Sequence, residues 1–229
     1  VAFHGKGEFG SGELSTLGSL TGNMTEFLKR VDTYGFSVLA PQVNTKLTDG
    51  ALWWSDVHVK AIFDYAIANH TKLGKVAETG LSQGGGTCWE GLTNEETASK
   101  LFASIPICPT SQYGDNIVNK NDFSLIAKYK IAVWNFCAAD DTTVWPASSR
   151  NMVAKANSYN PDPKVKYTEY PTGGHAIWGR VWATEEIYPW LLSYAPTGTV
   201  VTPPPPAEEI LYTIKTTIYK SGKIETVKL

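Results

Sequence analysis

Apolar and polar positions change period several times along the chain. Short runs rich in β-branched and aromatic residues at 1–4, 36–40, 75–80, 102–107, 131–136 and 165–170 read as six largely buried strands. Between the second and third, Val59, Ile62, Phe63, Ala66 and Ile67 fall at i, i+3, i+4, i+7 and i+8. That spacing predicts a helix over 56–69 that lays one stripe on a sheet. Residues 24–34 carry Phe27, Leu28 and Val31 ahead of Gly35, which suits the left-handed position just past a helix end. Weaker helical patterns cover 146–156 and 185–194, and Pro189 should kink the second or shift its start. Alternation of strands with helices predicts an α/β protein with a mainly parallel sheet.

The pattern breaks once, at 196–206, where four consecutive prolines make a stiff extended spacer. Beyond it Ile210, Tyr212, Ile214, Thr216 and Ile218 alternate with period two, and 220–223 offers a turn into 224–229, so the tail reads as a β-hairpin. The expected organisation is a catalytic domain over 1–195, the linker 196–206, and a hairpin within 207–229. A hairpin of this size needs a surface to pack on. It either covers a sheet edge or is the stub of an appended module.

The chain has 229 residues, 42% hydrophobic and 18% charged, enough for one substantial core and too few for two. No apolar run approaches the ~20 residues that span a bilayer, so no membrane partner is expected. Twenty basic residues against 22 acidic ones leave a formal charge of −2, without the positive field of a nucleic-acid binder. Cys88, Cys108 and Cys137 are odd in number and scattered through apolar segments, which suggests packing rather than disulfides. No histidine pair or cysteine pair has metal-ligand spacing, so neither a metal nor another cofactor is expected. The chain opens at Val1 directly into a strand, consistent with removal of a signal peptide or upstream piece. The spacer and the few cysteines lean towards a secreted enzyme, and no feature specifies an oligomeric state.

The chemistry is concentrated in four short motifs. Gly80-Leu81-Ser82-Gln83-Gly84 is Gly-x-Ser-x-Gly between a predicted strand and a predicted helix, the pattern of a nucleophile elbow. Small residues on either side allow the close backbone approach that such a turn demands. His4-Gly5-Lys6-Gly7-Glu8 follows the first strand, where a loop of this type supplies an oxyanion donor. The expected donors are the backbone N–H groups of Lys6 and Gln83, with His4 structural and Glu8 either organising the loop or solvated. His175 is the histidine that follows the last strand of the sheet, and is the expected general base; His58 and His70 belong to a helix and its end. Asp140 and Asp141 both follow the strand at 131–136 and could orient that base, and counting from the strand end favours Asp141.

Ser82, Asp141 and His175 occur in the serine–acid–histidine order. On these motifs, with Ala139-Asp140-Asp141-Thr142-Thr143-Val144 and the run from Lys166 to His175, residues 4 to 190 resemble a compact α/β-hydrolase. The group it is similar to comprises dienelactone hydrolases, carboxylesterases and polyhydroxybutyrate-depolymerase-like enzymes, and within it bacterial esterases and so-called predicted peptidases. The resemblance implies a three-layer α/β-hydrolase sandwich, a Ser-His-Asp triad and hydrolysis of carboxylic esters without a cofactor. Relatives include enzymes acting on acetyl or feruloyl esters of plant polysaccharides. Two departures stand out. The strand bearing His-Gly opens this chain where relatives have two strands before it, and Cys137 stands where relatives often have histidine.

Eight tryptophans and 11 tyrosines provide flat rings for sugar or aryl groups. Trp53, Trp54, Trp145 and Trp178 fall in or near loops on the catalytic side, and Trp178, just after the histidine, is the preferred substrate contact. Trp89 and Trp134 read as core. The expected substrate is a small-molecule or polysaccharide ester. A peptidase with the same triad and a catalytically silent binding module are the alternatives.

Overall fold

The computed structural model describes residues 1–11, 23–35, 37–44, 53–71, 73–110, 117–197, 214–218 and 224–228. Five strands form one sheet: β1 (Ala2–Phe3), β2 (Val76–Leu81), β3 (Leu101–Ile107), β4 (Ala132–Ala138) and β5 (Lys166–Tyr170). Their spatial order equals their chain order, and every pairing is parallel. All the strand C-termini therefore open onto one rim, where parallel α/β sheets place their ligands.

The helices are α1 (Thr25–Tyr34), α2 (Asp56–Asn69), α3 (Gln83–Leu92), α4 (Glu95–Ala98), α5 (Ile117–Lys120), α6 (Ser124–Tyr129), α7 (Pro146–Asn157), α8 (Trp178–Trp182) and α9 (Ile187–Ser193). They cover both faces of the sheet. On one face Phe3 and Val133 meet Val59, Ile62 and Phe63 of α2, Trp89 and Leu92 of α3, and Met152 and Val153 of α7. On the other, Ile105, Trp134 and Phe136 meet Val181 and Trp182 of α8 and Tyr188 and Leu191 of α9. The three-layer architecture follows from this division, because strand side chains alternate between faces.

Local signals act as their residue types predict. Gly35 ends α1 at φ 69°, with its N–H bonded to the Val31 carbonyl. Ser55 caps α2 by accepting from the His58 N–H. Pro189 is the third residue of α9, so the helix starts at Ile187, and the proline sits in a first turn where its missing N–H costs little. Among the described residues of the strand expected at 36–40, no strand forms. Residues 37–40 run beside β1 without forming a ladder, held by the Ala2 N–H donating to the Leu39 carbonyl at 2.9 Å. A two-residue β1 offers too short an edge for more, and Pro41 has no N–H with which to extend it. Phe36 lies outside the described residues.

In the tail, β6 (Ile214–Ile218) and β7 (Ile224–Lys228) pair antiparallel, from Ile214 with Lys228 to Ile218 with Ile224, as a two-stranded sheet of their own. The expected turn at 220–223 and most of the linker lie outside the described residues. Among the described residues no helix is long and apolar enough to cross a membrane.

Candidate active site

Ser82 stands at the junction of β2 and α3 with φ 53° and ψ −113°, a conformation that a residue with a Cβ adopts only under constraint. The constraint is close packing. A Cβ on Gly80 would overlap the Gly84 carbonyl, and one on Gly84 would overlap the carbonyls of Phe3 and His4. Glycine at these two positions lets the first turn of α3 lie directly against β1 and β2. Hydrogen bonds complete the hold: the Ser82 N–H donates to the Ile107 carbonyl at 2.8 Å, and the Ser82 carbonyl accepts from Gly86 at 3.0 Å and Thr110 at 3.1 Å. The hydroxyl is left at the start of α3, where the helix dipole favours negative charge.

The structure brings the other two expected residues to that hydroxyl. His175 Nε2 lies 2.8 Å from Ser82 Oγ, and His175 Nδ1 lies 2.7 Å from Asp141 Oδ2. Asp141 leaves β4 in a tight turn, its side chain only 1% exposed. Its second oxygen accepts from the N–H groups of Thr143 (2.8 Å) and Val144 (2.9 Å), so the carboxylate is fixed in direction before it meets the imidazole. Asp140 meets different partners. It accepts from Gly173 (3.2 Å) and Gly174 (2.7 Å), and these two bonds hold its carboxyl below the ordinary aspartate range. The two neighbouring aspartates thus divide the work: one touches the histidine, the other ties down the loop that bears it.

That loop has further anchors. Arg180 donates to the Thr172 carbonyl at 3.2 Å and stacks 3.7 Å over the Tyr170 ring. Cys108, just beyond β3 and at φ 44°, donates its S–H to the His175 carbonyl at 3.2 Å. Burial pushes the Cys108 thiol well up, and the nearby Asp141 adds to the shift. Its sulfur, a carboxylate oxygen of Asp141 and a ring nitrogen of His175 lie within 4.8 Å of one another, a set of metal-ligand types that the chain spacing does not reveal.

The loop after β1 is equally tied. Glu8 is buried, and one oxygen accepts from the Gly5 N–H at 2.6 Å while the other accepts from Asn23 at 2.9 Å. Burial raises its carboxyl above the usual range, opposed by these two bonds. His4 is a structural residue: its Nε2 accepts from the Val43 N–H at 2.9 Å and its ring packs on Phe9 and Trp54. Lys6 occupies the turn between Gly5 and Glu8, and among the described residues nothing accepts from its N–H. Gln83, the other expected donor, opens α3 and is buried. The Trp178 indole N–H donates to Asn23 at 3.3 Å, and its ring stands edge-on to His175 at 5.8 Å. Asn23 therefore bridges the loop after β1 and the helix after the histidine.

The aromatic expectations separate. Trp54 is buried against Phe3 and His4, so it is core rather than rim, because it anchors the entry to α2. Trp145 is 75% exposed at the start of α7, immediately after the Asp141 turn. Asn23 and the polar contact of Cys108 escape sequence reasoning, since the partners that place them at the site, Trp178 and His175, lie 155 and 67 positions away; Arg180 escapes it because its contacts with Thr172 and Tyr170 form only when the loop folds back on α8.

No protein-family model matches the chain, and no curated protein matches it. Solved structures do. A thermostable esterase is 25% identical, with a TM-score of 0.62, over 84% of this chain and 53% of its own. A truncated carbohydrate esterase from gut microbiota is 15% identical, with a TM-score of 0.58, over 85% of this chain and 84% of its own. A variant of SOBER1 from Arabidopsis thaliana is 20% identical, with a TM-score of 0.57, over 84% of this chain and 97% of its own. The chain spans little more than half of the thermostable esterase and of an uncharacterized Bacillus cereus protein, 53% and 58% respectively. A parallel sheet that delivers a serine after β2, aspartates after β4 and a histidine after β5, on a backbone shared with these structures, makes this chain an α/β-hydrolase by fold.

Proposed function

We propose that the chain hydrolyses carboxylic esters by nucleophilic catalysis, with Ser82 as nucleophile, His175 as general base and acid, and Asp141 as the group that orients His175. The observation that carries this reading is the unbroken hydrogen-bonded line from Ser82 Oγ through both ring nitrogens of His175 to Asp141. With Nδ1–H directed at Asp141, Nε2 is an acceptor and takes the Ser82 proton as Oγ attacks the ester carbonyl. Nε2–H then protonates the departing alcohol, leaving an acyl-serine. Water entering in its place is deprotonated by the same nitrogen, and collapse of the second tetrahedral intermediate releases the acid and restores Ser82.

The developing oxyanion is assigned to the backbone N–H groups of Lys6 and Gln83. Glu8 supports this role by holding the Gly5 N–H, which sets the direction of the following peptide. Trp178, beside His175, and the exposed Trp145 are assigned to substrate contact, as surfaces on which an aryl or sugar ring can stack. The substrate class that these rings suit is an acetyl or feruloyl ester of a plant polysaccharide, and the likeness to a structure named as a carbohydrate esterase supports it.

The test is fluorophosphonate labelling and hydrolysis of acetyl, butyryl and feruloyl esters, including acetylated xylan, by the wild type and Ser82→Ala. Labelling and turnover that both vanish in the variant are expected. A folded wild-type protein that neither labels nor hydrolyses overturns the reading in favour of a silent module. Cleavage of peptide anilides in preference to p-nitrophenyl acetate makes the enzyme a peptidase.

A further inference from the structure

Cys108 is the one thiol beside the proposed triad, and the hydrolytic cycle gives it no task. Its sulfur meets an Asp141 oxygen and a His175 nitrogen within 4.8 Å, all three groups converging from the ends of three adjacent strands. Thiolate, carboxylate and imidazole are the ligand types zinc takes, and three protein ligands with a water complete its tetrahedron. We propose that Cys108, Asp141 and His175 form a binding site for a thiophilic divalent cation, Zn2+ foremost, and that the bound ion reversibly inhibits the enzyme.

The movements required are small. Zinc bonds of about 2.0–2.3 Å in a tetrahedron hold ligand atoms roughly 3.3–3.7 Å apart. His175 Nδ1 and Asp141 Oδ2, now 2.7 Å apart, open by about half an ångström or slightly more, and the sulfur, within 4.8 Å of its partners, closes by at most about 1.5 Å. Rotation of the Cys108 side chain away from the His175 carbonyl supplies the second movement, and the S–H proton passes to solvent as the thiolate binds the ion. Asp141 needs no rearrangement, because Thr143 and Val144 keep one of its oxygens occupied and leave the other for the ion. The ion approaches past the edge of the partly exposed His175 ring.

Inhibition follows from the tautomer. Neutral imidazole that ligates through Nδ1 carries its proton on Nε2. Nε2 then offers Ser82 Oγ a donor instead of an acceptor, and the general base is switched off while the serine itself is untouched. This effect on turnover rests on the esterase reading; the binding of the ion does not.

The experiment is titration of the full chain with Cd2+ and Zn2+, following the ultraviolet thiolate-to-cadmium charge-transfer absorbance, metal stoichiometry and ester hydrolysis. The wild type is expected to gain the band at one ion per chain and to lose turnover, with recovery on adding a chelator. Cys108→Ser, which keeps a small hydrogen-bond donor at the strained position, should lose the band and need at least ~10-fold more Zn2+ than the wild type for half-inhibition, each protein measured against its own metal-free rate. Cys88→Ser and Cys137→Ser should keep both responses. No band in the wild type, or equal zinc sensitivity in Cys108→Ser, overturns the proposal. A Cys108-dependent band in a protein without hydrolytic activity upholds the site and sinks the esterase reading instead.

Discussion

The serine and the histidine are held in place by different means. Around Ser82 the hold is steric: β1, β2 and the first turn of α3 approach so closely that no Cβ fits at Gly80 or Gly84, and the serine has one conformation open to it. Around His175 the hold is polar. Residues 171–173 and 176 are exposed, and the loop is tethered by Asp140, Cys108 and Arg180 through a few hydrogen bonds. Packing of the first kind fails completely when it fails, whereas tethers can be cut one at a time.

The largest expected effects test the shared chemistry. Ser82→Ala should lower kcat by about 10⁵-fold or more with little change in melting temperature, as read by stopped-assay turnover and calorimetry. Asp141→Asn should cost about 10⁴-fold in kcat, because the amide can donate to His175 and favour the wrong tautomer. Next come the steric and polar regions themselves. Gly84→Ala should destabilise the fold by about 3 kcal/mol or more, lowering the melting temperature before any kinetic question arises. Asp140→Ala should leave that temperature nearly unchanged but reduce kcat by about 10-fold, since the base then samples unproductive positions. A Gly84→Ala protein of wild-type stability, or an Asp140→Ala protein of wild-type turnover, would erase the distinction between the two regions.

Two smaller effects sharpen it. Because the folded pKa of Asp140 is depressed, its tether is still complete at the ordinary aspartate pKa and is lost only as the pH falls below that value, through the lowered one. Wild-type activity should therefore lose a component over that acid range that Asp140→Ala lacks. Removing residues 207–229 should leave kcat within about two-fold, since every residue of the proposed site lies before the linker. Its effect on melting temperature distinguishes an edge-covering hairpin from an appended module.

The same division explains what was legible in the sequence. Steric demands leave residue-type signatures, because only glycine fits at positions 80 and 84, so the elbow and its strand–helix setting could be read directly. The α2 stripe and the Gly35 stop were equally plain, being local in period and conformation. Asp140 and Asp141 are chemically identical neighbours, and only the turn after β4 aims one inward and the other at residues 173 and 174. Asn23 looked like any loop asparagine until the fold set it between Glu8 and Trp178. The strand expected at 36–40 failed for a further reason: strand propensity needs a neighbour, and β1 is two residues long.

Strand order that equals chain order has a consequence for synthesis. Ser82 precedes His175 by 93 positions, so a chain leaving the ribosome has exposed the serine long before the histidine exists. β5 is both the last strand of this sheet in the chain and its edge, so the sheet cannot be complete until β5 has been synthesised. On the proposed mechanism, hydrolysis begins only once β5 and the loop after it are in place. Onset of ester cleavage thus times completion of the sheet, and a chain truncated before residue 175 should be chemically silent.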